Sequence, residues 1–126
     1  MKSRDNHLYV GLTYILSVFV IKMALGIVLG DTLLKDRSLL YQANVVYALA
    51  AIPALLIGYA LMRYSILNTV GESYKISFYW TLALIVLEIF SMLINESFTP
   101  LTALAFYAYL NVFYYTPILH SFIKRV

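Results

Sequence analysis

Residues 76–94 read ISFYWTLALIVLEIFSMLI, an apolar run whose one charged side chain is Glu88. A helix that crosses a bilayer needs about 20 mainly apolar residues, and this stretch has the length and the composition. Working outward, three further runs of the same kind appear. LYVGLTYILSVFVIKMALGIVLG covers 8–30 and is interrupted by Lys22. Residues about 44–64 follow the hydrophilic segment DTLLKDRSLLYQA, and residues about 100–123 end at Lys124 and Arg125. The pattern predicts an all-α integral membrane four-helix bundle with four transmembrane helices, a single membrane domain over 1–126.

Composition agrees. Of 126 residues 63% are hydrophobic and 12% charged, against about 45–50% and about 25% in soluble chains. The solvent this implies is lipid. Cysteine is absent, which removes disulfide scaffolds, thiolate metal sites and thiol catalysis. The net charge of +3 is sparse and scattered, so no nucleic-acid partner is expected.

Local signals set the expected limits. Gly30 is placed to end the first helix in a left-handed conformation, and Thr99-Pro100 reads as a cap and first residue of the fourth. The short link between helices 3 and 4 makes them antiparallel neighbours. Pro53 and Pro117 each remove a backbone donor, with local kinks expected there. Leu33, Leu34, Leu39, Leu40 and Tyr41 suggest a short amphipathic turn on the membrane surface. Lys22, just before the small residues Ala24 and Gly26, spoils a signal-peptide pattern, so the first helix is read as a retained span. Asn95-Glu96-Ser97 lies against the surface, and no glycan is expected.

Orientation follows from the cations. Lys2, Arg4, Arg63, Lys75, Lys124 and Arg125 fall on one side, Lys35 and Arg37 on the other. By the positive-inside rule both termini are cytoplasmic, and the expected location is the cell (plasma) membrane. Tyr9, Tyr41, Tyr64, Tyr74, Trp80 and Phe122 fall where interfacial aromatic belts are expected.

Two embedded charges are the candidate site. Lys22 and Glu88 would each cost about 2.5–3.5 kcal/mol at the bilayer centre. Helices 1 and 3 run in the same direction, and each charge falls two to three residues past the middle of its span, so both lie roughly 4 Å beyond the midplane. An intramembrane pair is expected. Helical steps from Glu88 meet Thr81, Ser91 and Asn95, a polar stripe; in helix 4, Tyr107 and Asn111 share a face and extend the expected network. The faces of Gly26 and Gly30, and of Ala50, Ala54 and Gly58, are small enough for close helix packing.

The bland reading is a static pair that fixes helix order. The sharper one is a proton or ion site in which a desolvated Glu88 binds and releases protons; a third pairs one charge with another polypeptide. His7 and His120, at the cytoplasmic ends, are read as ordinary interfacial histidines rather than haem ligands, and no cofactor or metal is expected. No nucleophile elbow, P-loop or metalloprotease helix occurs. Size and layout resemble the small multidrug transporters in architecture alone, because those carry their embedded glutamate in the first helix, where this chain has Lys22. The function expected is that of a non-catalytic accessory or assembly subunit of a larger membrane complex, with other membrane subunits, or itself as a homo-oligomer, as partners. The alternative is a small homo-oligomeric proton-coupled transporter or channel using Glu88.

Overall fold

The computed structural model describes residues 2–33, 35–62 and 70–125, and within them the side chains of 9–33, 35–62 and 73–123. Leu34, Arg63 and Tyr64 lie outside the described residues, as do the side chains of Lys2, Arg4, His7, Lys124 and Arg125. The described chain is all-helical: α1 (Lys2–Asp31), α2 (Leu39–Leu61), α3 (Val70–Ile94), a 3₁₀ turn (Thr99–Thr102) and α4 (Leu104–Arg125).

Three of these helices, over Tyr9–Asp31, Leu39–Leu61 and Ser73–Ile94, are long and apolar enough to cross a membrane. Helix α4, expected as a fourth span from Pro100, does not qualify. Its Leu, Ile and Phe are diluted by Tyr107, Tyr109, Asn111, Tyr114, Tyr115, Thr116, His120 and Ser121. It also begins later than Pro100, because Ala103 is extended (φ −87°, ψ 126°) and separates it from the 3₁₀ turn. Asn44 of α2 caps its start, Oδ1 accepting from the Ala105 N–H at 3.1 Å.

Other limits shift for local reasons. Helix α2 starts at Leu39, ahead of the expected Asn44, because the Ser38 hydroxyl accepts from the Tyr41 N–H at 3.2 Å and caps it there. The residues expected to form a separate surface turn are therefore partly in α2, with Leu33, Leu39, Leu40 and Tyr41 exposed. Gly30 is not left-handed, since no described glycine has positive φ. Helix α1 runs on to Asp31, and Thr32 closes it by donating its hydroxyl to Val28 O at 2.6 Å. The left-handed residue is Glu96 (φ 53°) after α3. There the Ser97 N–H reaches Met92 O and the Glu96 N–H reaches Leu93 O, the paired bonds of a Schellman ending.

Around the bundle α1 neighbours α2, α2 neighbours α4, α4 neighbours α3, and α3 neighbours α1. Contacts fix the directions. Down α2, Asn44 meets Ala105, Tyr47 meets Tyr109 and Tyr59 meets His120, so α2 and α4 are parallel. Between α1 and α3, Tyr14 meets Trp80 and Lys22 meets Glu88, again parallel. Helices α3 and α4 are antiparallel neighbours, as expected, and the Ser77 hydroxyl of α3 donates to Tyr114 O of α4.

The centre of the bundle is built around Tyr14, which has no exposed surface. Its ring stacks on Phe113 (4.1 Å, 11°), and its hydroxyl donates to Ala54 O at 3.0 Å and to Phe113 O at 3.3 Å. Pro117 lies four residues after Phe113 and has no N–H to offer that carbonyl, so Tyr14 from α1 satisfies it. Helices α2 and α4 continue through Pro53 and Pro117 without a break. Trp80, expected at the interface, is instead buried edge-on against Tyr14 and over Gly11. Tyr9, Tyr41, Tyr74 and Phe122 are exposed on the surface.

Candidate functional site

The two embedded charges meet. Lys22 Nζ lies 2.9 Å from Glu88 Oε1, with 8% of the lysine side chain exposed and none of the glutamate. The parallel packing of α1 and α3 brings their matched depths into register. Two tyrosines complete the site. The Tyr47 hydroxyl of α2 donates to Glu88 Oε1 at 2.7 Å, and the Tyr109 hydroxyl of α4 donates to Oε2 at 3.2 Å. Each of the four helices thus contributes one side chain to a single hub.

The electrostatics explain how an ion pair persists in an apolar bundle. A buried carboxylate is costly unless its lone pairs are filled. Here one oxygen accepts from a cation and a phenol, and the other from a second phenol. The ammonium also lies 4.6 Å from the centroid of Phe19 and 5.5 Å from that of Tyr47, faces that attract a cation. The phenol rings are fixed in turn, Tyr47 being edge-on to both Tyr109 (5.1 Å) and Phe106 (5.0 Å).

The remaining expected residues take other places. Ser91 and Asn95 do not reach the carboxylate; Asn95 Nδ2 donates to Ser91 Oγ at 3.4 Å, and both line clefts beyond the hub. The Thr81 hydroxyl is buried without a hydrogen-bond partner. Tyr107 and Asn111 are not part of the network: both are exposed, and Tyr107 donates to Leu101 O at 2.6 Å. The inward face of α4 is Phe106, Tyr109, Phe113 and Thr116, and 107 and 111 lie outside that face.

The small residues divide. Ala50 and Ala54 are buried, and a Cβ on Gly58 would stand 2.5 Å from Tyr14 Oη, so that glycine admits the central tyrosine. Gly11, not singled out from the sequence, does the same for Trp80. Gly26 and Gly30 are not close-approach points, because an added Cβ would meet only Val46 Cγ1 at 4.0 Å and Gln42 Oε1 at 3.7 Å.

Tyr47 and Tyr109 were missed from sequence. A signal exists: Tyr47 sits on the ridge of Ala43, Ala50 and Ala54, and Tyr109 on that of Phe106 and Phe113, so each is the polar tip of an inward apolar face. His120 packs edge-on against Tyr59 at 4.9 Å, and the side chain of His7 lies outside the described residues. No group of three or more His, Cys, Asp or Glu able to hold a metal occurs among the described residues. Compared with protein-family models, with curated proteins and with solved structures, the chain shows no match.

Proposed function

We propose that this chain is a non-catalytic polytopic membrane protein serving as an accessory or assembly subunit of a larger membrane complex, its ionic hub a fixed structural element. The supporting observation is the closure of Glu88, which has no exposed surface and accepts from three donors on three other helices. A relay needs a path onward, yet towards Trp80 the interior is Val18, Leu84, Ala54 and the Tyr14–Phe113 stack. Because Lys22 is paired inside its own bundle, the reading does not rest on a charge reserved for another chain. It rests on the small interior and on outward apolar residues such as Leu16, Val20 and Ile27, which lipid or a partner must cover.

In this reading α4 crosses the bilayer with the other three helices. It lies along α2 from Ala105 to His120 with Tyr109, Thr116 and Ser121 turned inward. Both termini are cytoplasmic in this reading, as the cation asymmetry favours, and the membrane is taken to be the plasma membrane. Purification in mild detergent tests the proposal: stable copurifying membrane chains are expected, and an isolated homodimer with proton-coupled flux after reconstitution would overturn it.

One feature favours a second reading, a small homo-oligomeric proton-coupled transporter using Glu88. Lys22 lines an open cleft with Gly26, Ser91 and Asn95, so one side of the hub is approachable. Glu88→Gln separates the two. A fixed hub predicts weakened assembly and no change in ion movement, whereas a coupling site predicts normal assembly and lost flux.

A further inference from the structure

We infer that the end of the bundle where α3 stops and α4 begins holds one glycerophospholipid, its phosphate against Asn95 at the membrane surface, its ester oxygens towards Ser91 and the Lys22 side of the cleft, and one acyl chain between α1 and α3. This goes beyond the accessory-subunit reading and requires only that the chain reside in a membrane.

Three clefts meet there. A mixed one of about 250 Å³ is lined by Gly26 and by the polar Gln42, Ser91, Asn95, Ser97 and Thr99 among a larger share of apolar neighbours. A second, of about 290 Å³, has Lys22 in its wall. The third, of about 240 Å³, is an apolar slot walled by Phe19, Met23, Leu87, Phe90 and Ile94. Ser91 and Asn95 border all three, so polar and apolar spaces join into one amphipathic cleft.

Its chemistry selects the ligand. Lys22 is the charged group that lines the cleft, while Glu88 is wholly buried behind it and lines none of these three spaces. The ligand therefore faces an ammonium, an amide and a hydroxyl, donors suited to phosphate and ester oxygens. A soluble phosphate ester would use only that half. The slot opens sideways past Met23, Phe90 and Ile94, which are 39%, 58% and 79% exposed on the surface a bilayer covers. A molecule with acceptors at one end and a hydrocarbon tail at the other matches both halves, and the bilayer supplies it without an aqueous path.

Gly26 gives a clean probe. An added Cβ there meets only Val46 Cγ1 at 4.0 Å, so a larger side chain grows into the cleft without forcing the backbone. The test is native mass spectrometry of the full chain in mild detergent, with added dioleoyl phosphatidylglycerol and phosphatidylcholine. One retained phospholipid per chain is expected. Gly26→Leu, and Met23→Trp from the mouth of the slot, should each lower its occupancy about tenfold without lowering the melting temperature, while Leu12→Phe elsewhere on α1 leaves it intact. Excess inorganic phosphate should not displace the lipid. The proposal is overturned if the native chain retains none, if free phosphate displaces it, or if either filling variant melts no lower than the native chain and keeps its lipid.

Discussion

Glu88 and Lys22 illustrate why a buried ion pair is judged by its surroundings. Removing one partner leaves the other charged and unpaired in hydrocarbon, whereas removing both leaves an apolar gap that Met and Leu can fill. Lys22→Met and Glu88→Leu alone should each lower the unfolding temperature in detergent, and the double variant should recover much of the loss; additive losses in the cycle would rule out coupling. Tyr109→Phe should cost about 1.5–3 kcal/mol, since it strips a donor from the buried carboxylate oxygen Glu88 Oε2. Glycines offer an independent check. Gly58→Ala forces Tyr14, stacked and without exposed surface, to move, and should cost about 1–3 kcal/mol. Gly26→Ala meets only an ordinary contact and should gain about 0.5–1 kcal/mol. The charge pair was legible in the sequence because depth follows from counting along a helix. Its tyrosines were not, because a phenol serves equally at an interface or inside, and only the neighbouring helix decides which.

At the scale of the helix, the design problem is orphaned backbone groups. Pro117 leaves the Phe113 carbonyl without its usual donor, and Tyr14 supplies one from another helix. Tyr14→Phe should therefore destabilise more in the native chain than in a Pro117→Ala background, whose restored backbone N–H can donate to Phe113 O; equal losses in unfolding measurements would break that link. Helix α3 ends on a left-handed glutamate, a conformation costing an L-residue roughly 1–2 kcal/mol that glycine avoids. Glu96→Gly should accordingly raise stability by about 1 kcal/mol in a detergent unfolding assay. Sequence patterns marked three spans well because long apolar runs have few other uses. They misplaced the helix ends: Ser38 as a cap, Glu96 as a terminator and Asn44 as a cap supplied by another helix are decided by conformation and tertiary neighbours. The glycine at position 30 has the right chemistry and simply does not use it.

For the molecule as a whole, orientation can be read directly because the chain has no cysteine of its own. Cysteines introduced at Ser3 and at the exposed Asp36 should label from opposite faces, Asp36→Cys from outside. An impermeant reagent that modifies Ser3→Cys from outside intact cells would invert the topology. Asp36 is a better site than Ser38, whose hydroxyl caps α2. The neighbour order, with α2 beside α4 and α1 beside α3, was not legible, since a four-membered ring of helices can close in more than one order with the same apolar runs. That order also bears on how the protein is made. Helix α4, made after the other three, is not apolar enough to count as a candidate span. Several of its groups find partners on α1, α2 and α3: Asn44 at its start, Glu88 for Tyr109, and the Tyr14 ring for Phe113. Under the proposed topology, its insertion is therefore a folding step, drawn by a surface that the three earlier helices have already assembled, and a defect at Glu88 would show itself during biogenesis as a C-terminus stranded on the wrong side of the membrane.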